Sequence, residues 1–298
     1  MLVPIETAIS ILKENKPVAI PTETVYGMAG VINNEDALKS IFSIKERPFF
    51  DPLIVHVSSI KMAQKYTSNW TENAEKLAQH FWPGPLTLIL DKGELVSSLI
   101  TSGLDKVGLR MPDHPLTLEL IEKLQTPLAA PSANKFKKTS PTCAEHVSDE
   151  FGEDFPILDG GQTQFGIEST VVGVFDDHIK IYRPGVITKD DLQDVLDIPV
   201  EHAPSPVAPG QLKHHYMPNI PITLTTNHKL DLTDYQDHYV WKLPADPVLV
   251  ARELYSQFRQ AAKQGHKGIL IIYQNDFHQD EKWKGVLNRI SKAKTYEI

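Results

Sequence analysis

Residues 18–27 read VAIPTETVYG, an apolar run that meets Pro21 and breaks into a polar turn, as a strand does when it delivers side chains to a loop. On its N-terminal side Ile5, Ala8, Ile9 and Leu12 recur at helical spacing, and Pro17 follows the end of that helix. On its C-terminal side Ala37, Leu38, Ile41 and Ile44 mark a second helix, which should stop before Pro48 because a proline disfavours helical backbone in the residue before it. PLIVHV (52–57) then reads as a short buried strand. Asn73 to Phe81 reads as a third helix, with Thr71 as its cap and Pro83-Gly84-Pro85 as its stop. LTLIL (86–90), VGLRMP (107–112) and PLAAPSAN (127–134) supply further strands, and STVVGVF (169–175) and IKIYRP (179–184) form a hairpin across Asp176, Asp177 and His178. The alternation predicts an α/β or α+β sheet covered by helices.

Between Pro199 and Pro221 the chain carries six prolines, too many for a helix or a central strand, so this stretch is expected to be an extended linker. Three units follow: a first domain over residues 1–198, a linker over 199–221 and a small α/β domain over 222–298. In the last, PITLT, HYVWKL and GILIIY read as strands, and a helix from about Pro247 to Lys263 turns Val250, Leu254, Phe258 and Ala261 inward.

With 298 residues, 41% hydrophobic and 23% charged, the chain has globular composition. Its opening residues show no basic segment followed by an apolar one and a cleavage site, and no stretch approaches the roughly 18 apolar residues of a spanning helix. Cys143 is the one cysteine, which excludes an internal disulfide and a multi-cysteine zinc site. A cytoplasmic protein without membrane contact is the expectation. The net charge of −8 argues against gripping a nucleic-acid backbone as the main task.

Neither a Walker phosphate loop nor a dinucleotide fingerprint occurs, so a nucleotide site needs another design. TETVYG (22–27), KERP (45–48), PSAN (131–134) and IEST (167–170) are dense in polar groups and stand at strand or helix ends, where α/β sheets build sites. Lys45 and Arg47 converge on a polyphosphate only if the helix breaks before Pro48; taken alone, a solvated basic turn is the commoner meaning of such a pair. Ser132 and Asn134 alternate along a strand end and can face one pocket, although capping or turn formation is the usual use of these residues. Arg110, embedded in an apolar run, must meet an anion, either an internal carboxylate or a bound one. His56 in a buried strand is more often a core residue than a ligand. His214-His215-Tyr216 lacks a third metal ligand at recognisable spacing and reads as linker, which can act as a lid where it crosses a cleft.

Taken together, PTETVYGMAG, SIKERP, PLIVHV, FWPGPLTLIL, VGLRMPDHP, PLAAPSAN, LDGG, ESTVV and YRPG resemble, in the same order, the YrdC-like threonylcarbamoyl-AMP synthase family in its long two-domain form. The resemblance implies a twisted open α/β sheet with helices around a concave cleft, plus a small Rossmann-like α/β C-terminal domain. It implies that Lys45, Arg47, Ser132 and Asn134 line the cleft, that Thr24, His56, Arg110, Ser132 and Ser169 surround threonine, and that Arg47, Asp51, Asn134, Ser140 and Arg183 contact ATP, with Tyr216 closing over the nucleotide. Two departures stand out: Asp51 replaces an asparagine, exchanging an amide donor for a carboxylate, and the linker reads APGQLKHHYMP rather than PGMxxxHYAP.

The implied reaction joins ATP to N-carboxylated L-threonine, formed from bicarbonate or CO₂, giving threonylcarbamoyl-AMP and pyrophosphate for tRNA modification. Lys45 and Arg47, with Mg²⁺ carried by ATP and no metal site of protein side chains, would stabilise the charge growing on the phosphates. A downstream tRNA threonylcarbamoyl transferase complex is the implied partner, with direct tRNA binding weak or absent. The rival classes are an RNA-binding or ribosome-associated module, which needs a basic, aromatic-studded surface, and the carbamoyl-transfer role of such domains in hydrogenase maturation proteins.

Overall fold

The structure, a computed structural model, describes residues 1–204 and 215–298. Its strands are β1 (Val18–Ile20), β2 (Gly27–Val31), β3 (Ile54–His56), β4 (Leu86–Asp91), β5 (Lys106–Arg110), β6 (Leu128–Ala129), β7 (Thr170–Val174), β8 (Ile179–Arg183), β9 (Val200–His202), β10 (Ile222–Thr225), β11 (His238–Lys242), β12 (Gly268–Ile272) and β13 (Tyr296–Glu297). The first nine form one mixed sheet in the order β1-β2-β6-β3-β5-β4-β7-β8-β9. The last four form an all-parallel sheet in the order β11-β12-β10-β13. A parallel sheet needs crossover helices, and Pro247–Lys263 and Lys284–Ala293 supply two of them.

Local chemistry accounts for the elements. Ala8 and Leu12 are the buried stripe of the helix Ile5–Lys13, and Ala37, Leu38 and Ile41 that of Glu35–Ile44. Thr71 caps Glu72–Phe81 by accepting from the Ala74 N–H at 3.2 Å. In the second domain Asp246 caps the helix that starts at Pro247, and Val250, Leu254, Phe258 and Ala261 lie inside.

The proline-rich stretch departs from the expected linker at its start. β9 lies inside it and pairs in parallel with β8, so the first sheet runs on to His202 before the chain leaves it. Pro199 and Pro204 flank that strand, which sits at the sheet's edge, where a proline interrupts no ladder. Residues 205–214, including His214 and the middle of the expected linker, lie outside the described residues.

The two domains share a core. Val25 and Ile167 of the first domain and Tyr216 pack in one cluster with Trp241, Leu254, Tyr255 and Phe258 of the second. Gly166, with φ of +74°, and Gly285 make the close approach possible. A Cβ on Gly166 would stand 2.6 Å from the backbone of Ala251 and Arg252, and one on Gly285 would stand 2.7 Å from the Gly185 carbonyl oxygen.

Candidate active site

VAIPTETVYG breaks as its composition predicts. After β1 the chain turns through Thr22, whose hydroxyl bonds the Val25 carbonyl at 2.7 Å, and β2 resumes at Gly27. The helix Glu35–Ile44 ends with Lys45 as its C-cap, and Glu46 takes a left-handed φ of +54°, so Lys45 and Arg47 leave the helix axis and both turn inward. They are only 1% and 8% exposed, which removes the reading of a solvated basic turn.

A cavity opens between these segments. Among its walls are Thr22, Arg47, His56, Arg110, Ser132, Glu168, Ser169, Arg183, His215 and Tyr216. Seven of the residues singled out in the sequence therefore face one hollow: Arg47, His56, Arg110, Ser132, Ser169, Arg183 and Tyr216. Lys45, Thr24, Asp51, Asn134 and Ser140 are not among its lining residues, but each is bonded to that lining or to its immediate support.

Lys45 donates to the carbonyl oxygens of Ser132 and Asn134 and so pins the PSAN segment from behind. Burial, followed by the charge of Arg47, drives its pKa well below the ordinary lysine value. The expected strand end at PSAN is shorter than the sequence suggested. β6 stops at Ala129, Pro131 has no N–H to donate, a single antiparallel bridge joins Ser132 to Gly27 beyond it, and the Asn134 N–H folds back onto the Ser132 carbonyl at 3.0 Å. Ser132 thus faces the cavity, whereas the Asn134 amide holds the Lys135 and Lys138 carbonyls at 2.7 and 2.9 Å.

Arg47 donates to the Asp51 and Pro52 carbonyls and lies 3.0 Å from the Asp51 carboxylate. Burial pushes the Asp51 pKa upward even against that cation. Asp51 thus serves here as the counter-ion of Arg47. Arg110 meets Glu23 at 2.7 Å, an ion pair without hydrogen-bond alignment, and donates to the Thr24 hydroxyl at 2.9 Å. Glu23 is thus an internal anion for Arg110, and the Arg110 guanidinium still stands on the cavity wall. Ser169 shares a hydrogen bond with Thr87 at 2.8 Å and accepts from Arg183 at 3.1 Å. His56 is buried with no partner on Nδ1 among the described residues, and burial followed by Arg110 lowers its pKa to about 3.

All eight buried Asp, Glu, Lys and Arg side chains of the described residues gather here. Five are cations, Lys45, Arg47, Arg110, Arg183 and Arg289, and three are carboxylates, Glu23, Asp51 and Glu168. A cavity with more buried cation than carboxylate attracts anions, and its low dielectric strengthens that attraction. Among the described residues no group of three His, Cys, Asp or Glu is placed to hold a metal ion.

Comparison with known proteins decides the family. A family model named for Sua5, YciO and YrdC and described as telomere recombination matches residues 10–185, and one described as the threonylcarbamoyl-AMP synthase C-terminal domain matches residues 187–295. The chain belongs to the Sua5/YrdC family. It has that family's long, two-domain form. Threonylcarbamoyl-AMP synthase of Pyrococcus abyssi is 34% identical over 99% of this chain and 95% of its own length. That of Bacillus subtilis is 45% identical over 74% of this chain, a match spanning just under two thirds, 66%, of the relative. The crystal structure of P. abyssi Sua5 complexed with L-threonine superposes with a TM-score of 0.89 at 33% identity, covering 99% of this chain and 96% of that one. Full-length HypF in its phosphate- and nucleotide-bound form shares the fold at a TM-score of 0.54 and 22% identity, over 62% of this chain and 30% of that one. The relatives' names mark this Sua5-type chain as an enzyme. No helix among the described residues is long and apolar enough to cross a membrane.

Sequence reasoning passed over four residues of this site or its support. Glu23 and Glu168 stood inside segments already singled out, and the cost of burying an arginine could have named a carboxylate partner for Arg110. Tyr255 and Arg289 come from the second domain. Arg289 carries the signal that Arg110 carries: a charge in the apolar stripe of Val286, Ile290 and Ala293, fully buried in the helix.

Proposed function

We propose that the cavity binds ATP and the N-carboxylated form of L-threonine and joins them as threonylcarbamoyl-AMP, releasing pyrophosphate, which makes the chain a nucleotidyltransferase. The observation that carries the reading is the presence of three buried arginines, Arg47, Arg110 and Arg183, on the wall of one cavity, in a chain whose relatives are named threonylcarbamoyl-AMP synthase. The carbamate oxygen of the amino acid attacks the α-phosphorus and pyrophosphate leaves, so no enzyme nucleophile is needed and negative charge grows on the phosphates. Arg47 and Arg183 stabilise that charge from the wall, and Lys45 fixes Ser132 and adds positive potential from behind it. Arg110 holds the threonine carboxylate, and Ser169 presents a hydroxyl to the substrate side chain. Bicarbonate supplies the carboxyl group. Mg²⁺ arrives on ATP and supplies charge neutralisation there. Tyr216 closes the nucleotide side of the cavity and excludes water from an adenylate that hydrolyses readily. The product passes to a tRNA threonylcarbamoyl transferase in the cytoplasm, the lone Cys143 fitting a reducing compartment.

The reading is tested by incubating the full chain with ATP, Mg²⁺, bicarbonate and L-threonine. Pyrophosphate release that stops when threonine is omitted is expected; release that ignores threonine contradicts it.

A further inference from the structure

The second domain reaches the cavity wall at Glu168. Glu168 lines the hollow and accepts from the Ser140 hydroxyl at 2.5 Å, the Tyr255 hydroxyl at 3.0 Å and Arg289 Nε at 2.8 Å. A second arm of Arg289 donates to the Glu168 carbonyl at 3.0 Å and the third to the Pro184 carbonyl. Arg289 and Tyr255 are both fully buried, and both belong to helices of the second domain. The same guanidinium lies 5.4 Å from the centre of the Tyr216 ring, which stacks on Tyr255 at 5.8 Å and 29°. Gly166 and Gly285 bring backbone against backbone beside this cluster, so its seat is tight.

A carboxylate on the wall of a cavity that holds phosphates is a liability unless its charge is cancelled. Removing one partner of a buried ion pair leaves the other charged and unpaired, or forces it to take up a proton. Glu168 is faced by Arg289 and Tyr255 from the second domain, by Arg183 from β8, by Ser140 from the loop before residues 144–151, and by His215 and Tyr216 from the end of the linker. Burial opposes its charge, and Arg289 and then Arg183 more than offset that, so its pKa lies below the ordinary carboxylate value.

We infer that Arg289 is a positioning residue of the nucleotide site: it cancels the charge of Glu168 and holds Ser140, Glu168 and Tyr216 in one arrangement, so the first domain's cavity is complete only with the second domain seated. The inference rests on the ATP reading above. Arg289 does not line the cavity and acts through Glu168.

The test is ATP affinity, measured by calorimetry on the full chain at pH 6 and pH 8, for wild type, Arg289→Met, Arg289→Lys and Glu168→Gln combined with Arg289→Met, each relative to wild type at the same pH. Arg289→Met should weaken ATP binding on the order of tenfold at pH 8 and less at pH 6, where the orphaned carboxyl takes up a proton. Adding Glu168→Gln should restore affinity to within about threefold and abolish the pH dependence, and Arg289→Lys, which keeps the charge, should stay within about threefold of wild type. An equal loss at both pH values that Glu168→Gln does not relieve would make Arg289 a merely structural residue and overturn the inference. Should Arg289→Met fail to fold, Tyr255→Phe removes one donor from the same carboxylate. It is expected to weaken ATP binding about threefold at pH 8 and less at pH 6, and unchanged affinity at both overturns the inference. Threonine-dependent pyrophosphate release by wild type is scored separately. ATP binding with these couplings but no such release contradicts the substrate reading and supports the positioning role, whereas wild type that binds no ATP overturns both.

Discussion

Lys45 Nζ is bonded to the main-chain carbonyl oxygen of Ser132, joining a helix end to the segment that follows β6, 87 residues away. A second bond to the Asn134 carbonyl makes Lys45 the peg on which the PSAN segment hangs. The cationic pair is therefore split in function: Arg47 looks into the cavity, and Lys45 shapes its wall.

That split separates the two alanine variants. Both Arg47→Ala and Lys45→Ala should cut threonine-dependent pyrophosphate release by about 10² or more. Lys45→Ala should also lower thermal stability, because the buried Asn134 carbonyl loses its donor at about 1–3 kcal/mol, while the Ser132 carbonyl keeps the Asn134 N–H. Arg47→Ala frees Asp51, whose pKa burial already raises, and that group escapes unpaired charge by protonating. Thermal melts beside the pyrophosphate assay check both, and wild-type rates in either variant contradict the assignment.

Substrate selection should follow the hydroxyl that faces the cavity. Ser169 lines it, whereas Thr24 lies outside the lining, accepting from Arg110 and sharing a bond with Thr22. A site that hydrogen-bonds a substrate hydroxyl can reject the analogue lacking it by about 10⁴-fold. Ser169→Ala should therefore erode the preference for threonine over valine, read as a ratio of kcat/KM, more than Thr24→Ala does. The reverse order would move the threonine contact to Thr24.

Tyr216 is 1% exposed, and its hydroxyl has no hydrogen-bond partner among the described residues. Tyr216→Ala should lower the yield of intact adenylate more than it lowers ATP affinity, and Tyr216→Phe should keep the fold, since the ring makes the packing contacts. Unchanged yield at limiting enzyme in Tyr216→Ala would remove the closing role.

Acid should destabilise the protein through two buried imidazoles. Burial, with Arg110 beside His56 and Arg47 and Lys45 near His215, holds both pKa values at about 3. The ordinary value is about 6.5, so between pH 6.5 and 3 the unfolded chain binds more protons than the folded one, and stability falls as pH falls. The slope is up to about 1.4 kcal/mol per pH unit for each histidine. Denaturant melts between pH 7 and 5, with and without His56→Gln, measure it, and NMR should find both rings neutral at pH 5.

Much of this site was legible in the sequence because its parts are short strings with strong local chemistry. Pro48 forced the turn that buries Lys45 and Arg47, and a lone arginine in VGLRMP announced an anion. What local pattern could not reveal was partnership across distance. The local string did not show that Asp51 would fold back on Arg47 as its counter-ion. Asn134 is not on the wall because the chain folds back after Ser132 and its amide bonds the Lys135 and Lys138 carbonyls. Arg289 lies 121 residues from Glu168, and only domain docking brings the two together. β9 was hidden by proline count, which argues against a central strand but not an edge one.

The most direct test of the whole account follows the carbon and the phosphorus together. The full chain is given ATP, Mg²⁺, L-threonine and ¹³C-labelled bicarbonate, and the products are read by mass spectrometry. One adenylate carrying both threonine and the labelled carbon, formed in step with pyrophosphate, is the result predicted. ADP and phosphate in place of pyrophosphate, or an adenylate without the label, would contradict it.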